Sequence, residues 1–231
     1  MTPPRGFRER LCLMDAARLD RTLSRMAAEI CERHPDTARL LLVGVHTRGV
    51  PLAQRLAARL PVRPVVGSLD ITLYRDDLTT IAPHPLTRGT AIPVAIDGRV
   101  VIVVDDVLFT GRTVRAALDE LVDFGRPARI ELAVLCDRGH RELPIRADYV
   151  GETVSTARDE IVEVRLSDED GEDSVWLLEP APLPAATPPP PPPVERRPAA
   201  KKAPAREAPA KPAARPARAA TRRKPAPRRK R

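Results

Sequence analysis

The sequence predicts an α/β domain with a central, mostly parallel sheet and helices on both sides, followed by a separate basic tail. Three observations carry this prediction. Apolar runs recur at 38–45, 101–104 and 130–135, the pattern of strands buried on both faces, as in parallel sheets. Helical periodicities fill the spaces between them, so strand, helix, strand, helix, strand follow in the order that closes by right-handed crossovers. Each run ends in a short polar turn, and ligands of such sheets bind at the carboxyl ends of the strands.

The chain has 231 residues, enough for one domain of about 150–200 residues with extensions. Its net charge of +8 conceals two unlike parts. From Pro180 onward fifteen Lys or Arg stand against two Glu, whereas the first 179 residues carry 24 basic and 29 acidic side chains. The predicted organisation is therefore a mildly acidic folded domain over 1–179 and a strongly basic tail over 180–231. The tail holds sixteen of the 27 prolines, has no apolar periodicity, and cannot bury enough surface to offset its ordering entropy. It is expected to be disordered, with a stiff polyproline spacer at Pro188–Pro193 and a cationic arm that favours polyanions such as RNA. Cys12, Cys31 and Cys136 lack metal-ligand spacing, and Cys31 and Cys136 are expected to be buried reduced thiols. No signal peptide or membrane-spanning apolar run is present, so a soluble protein of the reducing cytoplasm is expected.

Taken in order, residues 1–14 read as a short, partly polar lead-in. From Asp15, Leu19, Leu23, Met26 and Ile30 recur at three- and four-residue spacing, predicting an amphipathic helix that ends near His34 and Pro35. Arg18, Arg21, Arg25 and Arg33 lie on its outer face. Ala38–Val45 predicts a buried strand that ends in His46-Thr47-Arg48-Gly49 and feeds a helix over Pro51–Leu60. Val65–Tyr74 alternates and is rich in β-branched residues. The polar, proline-containing connection after it is long for a compact domain, and such loops are usually functional flaps. A strand over Val101–Asp106 is closed by its two carboxylates. The helix from Thr110 shows Val114, Leu118, Leu121 and Val122 on one face and stops at Gly125. Ile130–Leu135 is a further strand, ended by Cys136-Asp137-Arg138.

The chemistry concentrates in Val101–Thr113, VIVVDDVLFTGRT. Backbone N–H groups at a helix N-terminus are unpaired and carry partial positive charge, so Thr110-Gly111-Arg112-Thr113 suits a phosphate. Asp105 and Asp106 beside that cradle can accept hydrogen bonds from two vicinal hydroxyls, which points to a sugar phosphate. A Walker A loop is excluded, because neither GxxxxGKS nor GxxxxGKT occurs. The turn at 46–49 repeats the design, and Arg48 can give two parallel hydrogen bonds to phosphate oxygens.

This stretch matches at every position the signature for phosphoribosyl diphosphate (PRPP), and the chain resembles the type I phosphoribosyltransferases. The resemblance implies the fold of that family, with a central mostly parallel sheet, flanking helices and a hood. It implies that Asp105 and Asp106 hold the ribose 2′- and 3′-hydroxyls and that Thr110, Gly111, Arg112 and Thr113 hold the 5′-phosphate. Val107, Leu108 and Phe109 complete the PRPP-binding stretch. Thr47, Arg48 and Gly49 would take the pyrophosphate, often through a non-proline cis peptide, and His46 stands where close relatives carry Lys. The hood would send Tyr74, Arg75 and Arg88 over PRPP. Mg2+ is implied with PRPP, meeting Asp105 and Asp106 through water.

Three further stretches, DITLYRDD from Asp70, DDVLFTGRTVRAA from Asp105 and DRGHRELPIRADYVG from Asp137, resemble one branch. This is the PyrR-type branch, pyrimidine operon regulators that are also uracil phosphoribosyltransferases, and the likeness runs from Leu13 to Leu178. It implies conversion of uracil and PRPP into UMP and diphosphate, with Asp137, Arg138 and Val162 in the base or nucleotide pocket. It also implies sensing of UMP and UTP, homo-oligomers (dimers or tetramers), and binding of an RNA leader hairpin through Ser24, Arg25, His140, Arg141 and Arg146. Ala28 and Glu152 depart from the branch, which carries His and Lys there, and a negative charge near an RNA face lowers counterion-release affinity. Two alternatives stay open: an RNA-binding attenuator with little turnover, and a transferase for another base such as hypoxanthine.

Overall fold

The computed structural model describes residues 3–4, 6–71 and 89–181; the predicted tail and the segment carrying Tyr74, Arg75 and Arg88 lie outside the described residues. In chain order the elements are β1 (Phe7–Met14), α1 (Ala16–Arg33), β2 (Leu40–Val45), α2 (Gly49–Ala57), β3 (Val65–Leu69), β4 (Val100–Leu108), α3 (Arg112–Asp123), β5 (Arg129–Asp137), β6 (Tyr149–Thr153), β7 (Ile161–Arg165) and β8 (Ser174–Pro180).

The apolar runs do form a parallel sheet, in the order β3-β2-β4-β5-β6. Successive side chains of a strand point to opposite faces, so a continuous apolar run needs cover on both. Leu40, Leu42, Ile102, Val104, Ala133 and Leu135 pack in one core with Leu19, Leu23, Met26 and Ile30 of α1 and Leu52 and Leu56 of α2. Leu41, Val43, Val101, Val103, Leu132 and Val134 pack in the other with Val114, Ala117 and Leu121 of α3. α1 starts where the sequence predicts, its first turn capped by the Asp15 carboxylate, which accepts from Arg18 N–H at 2.7 Å.

Several expectations are corrected. Phe7–Met14 is not a lead-in but an edge strand of a second, antiparallel sheet in the order β1-β8-β7. Five consecutive residues of β1 are exposed, which is why its local sequence reads as polar. β8 runs to Pro180, and Ala181 N–H still donates to Gly6 O at 2.7 Å, so pairing continues past the boundary drawn at 179. β4 does not end at its carboxylates but carries them inside the strand and continues to Leu108, opposite Asp137. Val122 is 62 % exposed, because the buried stripe of α3 runs through Val114, Ala117 and Leu121, with Ala116 filling beside it. Among the thiols only Cys136 is buried, and burial pushes its pKa up; Cys31 is half-buried and Cys12 exposed.

Two close contacts hold the second sheet and α2 in place. A Cβ on Gly49 would lie 2.3 Å from the carbonyl oxygen of Val104, so the first residue of α2 rests directly on β4. The turn between β7 and β8 reaches α2 as well: Arg55 bonds Asp173 at 2.9 Å, Asp168 at 2.5 Å and the Ser167 hydroxyl at 2.8 Å. Beside that turn Arg165, its side chain 3 % exposed, is bonded to Glu9, Glu163 and Glu172, joining β1 to β7.

Substituting Gly49→Ala is expected to lift α2 from β4 and lower stability by about 1–3 kcal/mol, the cost of overpacking. A urea titration measures it, and a wild-type midpoint would refute the contact. Acid sensitivity follows from the arginine clasp. Burial acts to raise the Asp173 pKa, but the bonds from Arg55 and from Ser167 N–H outweigh it and hold the carboxyl below its ordinary value. A depressed carboxylate contributes stability above the unfolded pKa of about 4, and that contribution is lost as pH falls through the lowered native value. Asp173→Asn is expected to flatten the fall of stability with acid, read as melting temperature from pH 6 to pH 3; an unchanged slope would remove Asp173 from the account.

Candidate active site

The carboxyl ends of β2, β4 and β5 converge, and the predicted motif residues sit there. Asp105 is 6 % exposed and Asp106 half-buried, with Asp105 paired in register to Val134 of β5. Each carboxylate folds back on the chain: Asp106 N–H donates to Asp105 Oδ1 at 2.9 Å and Val107 N–H to Asp106 Oδ1 at 2.8 Å. These bonds engage one oxygen of each side chain and set the pair's orientation before any ligand arrives. Among the described residues no group of three or more His, Cys, Asp or Glu side chains is placed to hold a metal. A carboxylate pair does fit a hard cation whose other ligands are a substrate's own oxygens.

After Leu108 the chain turns through Phe109, Thr110 and Gly111 into α3. Gly111 takes φ +92°, in the left-handed region that favours glycine, and no side chain caps the helix N-terminus. Among the described residues the Gly111 position gives α3 no side-chain N-cap, and the Arg112 N–H makes a long 3.4 Å contact with the Thr110 hydroxyl. This is the geometry of an anion cradle. No carboxylate lies in that first turn to oppose an anion.

The loop after β5 braces this turn. Arg141 donates from Nη1 to Phe109 O at 2.6 Å and Gly139 O at 2.9 Å, from Nε to Ile145 O at 3.1 Å, and pairs with Asp137 at 2.5 Å. Its side chain thus staples the end of β4 to the end of β5, rather than reaching out as the RNA contact suggested by sequence. Arg138 is 6 % exposed and lies over the Phe109 ring at 4.1 Å, donating to Ala157 O at 2.9 Å and to the Thr156 hydroxyl at 3.3 Å. His140, at φ +60°, meets the same ring edge-on and its Nε2 bonds Thr156 O at 2.8 Å. Asp137 accepts from Gly139 N–H at 2.9 Å. Val162, placed by sequence beside a base, is 6 % exposed in the core and pairs with Leu177.

On the other side of β4 lies the 46–49 turn. The His46–Thr47 peptide is cis, Thr47 is exposed, and His46 Nδ1 is buried with no hydrogen-bond partner among the described residues. Arg48 forms the bidentate fork that the sequence suggests, but its partner here is Asp170, with Nε–Oδ2 3.1 Å and Nη2–Oδ1 3.0 Å. Burial works to lower the Arg48 pKa; the bonds and charge of Asp170, with the field of Asp106, outweigh it and raise it. Sequence reading missed Asp170. The one signal for it was the acidic run Ser167–Asp173, unexplained beside two arginines seven residues apart at Arg48 and Arg55.

The remaining predicted residues are Ser24 and Arg25 on α1 and Arg146 in the loop that leads into β6, an edge strand of the sheet. Ser24 donates to Asp20 O within α1 at 2.9 Å, while Arg25 Nη2 bonds Val150 O at 3.1 Å and also Gly151 O. Arg146 is exposed and makes no hydrogen bond or ion pair among the described residues. Glu152, read as a stray negative charge, is paired with Arg18 at 2.7 Å, so its charge is locally compensated.

The comparisons with known proteins agree with this geometry. The phosphoribosyl transferase domain model matches residues 15–168. The chain is 57 % identical over 178 residues to the "Bifunctional protein PyrR" of Pelotomaculum thermopropionicum, covering 75 % of this chain and 98 % of that one. To a protein of the same name from Thermus thermophilus it is 57 % identical over 171 residues, covering 72 % and 94 %. Among solved structures, a hypoxanthine-guanine phosphoribosyltransferase from Bacillus anthracis superposes with a TM-score of 0.58 at 18 % identity, covering 74 % of this chain and 98 % of that one. A hypoxanthine phosphoribosyltransferase from Trypanosoma cruzi gives 0.59 at 20 % identity, covering 74 % and 96 %. At such identities these two matches speak for the fold alone. A domain match over two thirds of the chain, relatives above half identity along nearly their whole length, and a carboxylate pair beside a helix N-terminus at the ends of parallel strands lead to one conclusion: this chain belongs to the type I phosphoribosyltransferases, in their PyrR-type branch.

Proposed function

We propose that the protein transfers the phosphoribosyl group of PRPP to uracil, giving UMP and diphosphate, and that the same site, filled by a uridine nucleotide, governs binding of a pyrimidine-operon leader RNA. The observation that carries the reading is the convergence of the Asp105–Asp106 pair, the uncapped N-terminus of α3 and the Thr47-Arg48-Gly49 turn at the ends of neighbouring parallel strands. The pieces divide PRPP among them. The carboxylates accept from the ribose 2′- and 3′-hydroxyls. The N–H groups of α3, with Thr110 and Thr113, hold the 5′-phosphate, and Thr47, Arg48 and Gly49 face the diphosphate.

Uracil N1 then forms its bond to ribose C1 while the C1–oxygen bond to diphosphate breaks, diphosphate leaves with that bond's electron pair, and the N1 proton passes to solvent water. Charge gathers on the ribose ring and on the leaving group. The protein's part is to fix the two reactants in line and to place charges where these develop. Magnesium, when bound with PRPP, supplies charge neutralisation on the diphosphate, and Asp105 and Asp106 are the residues that would meet it. Val107, Leu108, Phe109, Gly111 and Arg112 shape the loop. Asp137 and Arg138 shape the base side, Arg138 through the Thr156 hydroxyl and the backbone it holds at 157–158. Tyr74, Arg75 and Arg88 are assigned to closing the site.

For RNA, the exposed Arg25 and Arg146 beside β6 offer phosphate contacts, with Ser24 next to them. His140 and Arg141 act by shaping the loop. A cytoplasmic homo-oligomer that uses the basic tail as a second, sequence-independent RNA contact completes the reading.

Asp105→Asn combined with Asp106→Asn is expected to abolish UMP formation with the fold retained, since each charge-assisted bond lost is worth about 1.5–3 kcal/mol. Radiolabelled uracil and PRPP measure it, and a panel with hypoxanthine and other bases tests the choice of base; turnover near wild type would overturn the site. Truncation after Ala181 is expected to leave these kinetics intact and to weaken leader and scrambled RNA alike, with a shallower salt dependence, because a cationic arm contacts phosphates and releases fewer counterions when removed. Loss of the preference for leader RNA at an unchanged salt slope would make the tail the specific reader instead.

A further inference from the structure

We propose that Asp170 is a positioning residue for diphosphate binding: it grips Arg48 by one edge of the guanidinium and leaves the other edge for the ligand. The inference rests on the reading of Thr47-Arg48-Gly49 as the turn that meets diphosphate. Asp170 takes Nε at 3.1 Å and one N–H of Nη2 at 3.0 Å, the side-on pairing of a guanidinium with a carboxylate. Among the described residues the far edge, made of one N–H of Nη1 and the second of Nη2, has no other partner, and its two parallel donors suit two phosphate oxygens.

Asp170 is built to hold rather than to block. Its side chain is 6 % exposed, against 28 % for Arg48. Its Oδ2 also accepts Leu166 N–H at 2.9 Å, and its own N–H donates to Leu166 O at 2.6 Å, so the carboxylate is locked inside the turn. A carboxylate acting as a decoy for diphosphate would have to leave, and leaving here breaks the turn itself. Burial raises the Asp170 pKa, yet Arg48 and Leu166 N–H outweigh it, and the group stays ionised at neutral pH. The benefit is preorganisation. A free arginine at the mouth of a site loses rotamer freedom when a ligand orders it, whereas a gripped one has already lost it on folding. Asp106 also favours the charged form of Arg48, so the ribose carboxylates and the waiting guanidinium feel one another.

The test uses the full chain, with inorganic diphosphate and magnesium as the calorimetric probe and steady-state constants for PRPP and uracil alongside. Asp170→Asn keeps the shape and removes the charge. It is expected to raise the diphosphate Kd and the PRPP KM by about tenfold or more, equivalent to about 1.4 kcal/mol, while uracil KM and kcat change little. In an Arg48→Ala background the same substitution is expected to add nothing. Asp173→Asn, in the same turn but paired with Arg55, is expected to leave diphosphate binding near wild type. Unchanged or tighter diphosphate binding by Asp170→Asn, or an equal loss in the Arg48→Ala background, would overturn the proposal.

Should Asp170→Asn not fold, the wild-type chain still decides. The Arg48 Nε–H resonance, identified by its disappearance in Arg48→Lys, is expected to be protected from exchange both before and after saturation with diphosphate. Loss of protection on saturation would show that Asp170 lets go, and would make it a competitor. Uracil turnover is read separately: a wild type that binds diphosphate through a gripped Arg48 but leaves uracil unconverted refutes the transferase reading and spares this one.

Discussion

The site depends on β4 being held in parallel register between β2 and β5. A strand paired on both edges and covered on both faces has nowhere to slip, since a shift of one residue would turn its whole apolar set to the wrong face. The carboxylates of Asp105 and Asp106 inherit that immobility. Their neighbours follow from it as well. Gly49 lies against the Val104 carbonyl, so the start of α2 is measured from β4, and the staple of Arg141 is measured from the backbone just beyond. What reads in the sequence as three separate loops is, in space, one rim set by a single strand.

Much of this was legible because the signals are local. Buried strands announce themselves as apolar runs, the Asp15 cap and the repeat of Leu19, Leu23, Met26 and Ile30 mark α1, and the PRPP motif is contiguous. The failures have a common physical cause, which is partnership at long range. β1 carries Arg8, Glu9 and Arg10 because it is an edge strand exposed on both faces over Arg8–Cys12, and only its pairing with residues near 178 makes it a strand at all. Asp170 lies 122 residues from Arg48, and no periodicity connects them. Val122 sits at the margin of a helical stripe, where a small shift in helix phase decides between core and water.

The arginines teach a related lesson. Charge in a loop suggests an exposed cation, and in DRGHRELPIRAD that suggestion favours contact with nucleic acid. Yet Arg138 and Arg141 turn inward to satisfy carbonyl oxygens at 157 and at 109 and 139, and Arg165 is almost wholly buried among three carboxylates. A planar guanidinium with donors on several sides can tie together backbone groups that no strand or helix pairs. In this fold arginine is as much a framework residue as a surface one. Arg25 does both, exposed yet bonded to the backbone of β6, and Arg146 stands out because it is not so consumed.

The pairing of β1 with β8 has a consequence for the birth of the molecule. β1 leaves the ribosome long before its partner β8, so it waits unpaired while the parallel sheet, which lies between them in the chain, takes shape. The turn carrying Asp168, Asp170 and Asp173 emerges just before β8. Until then Arg48 and Arg55 lack their acidic partners. Translation therefore completes the β1–β8 sheet and the grip on Arg48 nearly together, and a chain halted short of residue 166 would carry Asp105, Asp106 and Arg48 without the clasp on Arg48.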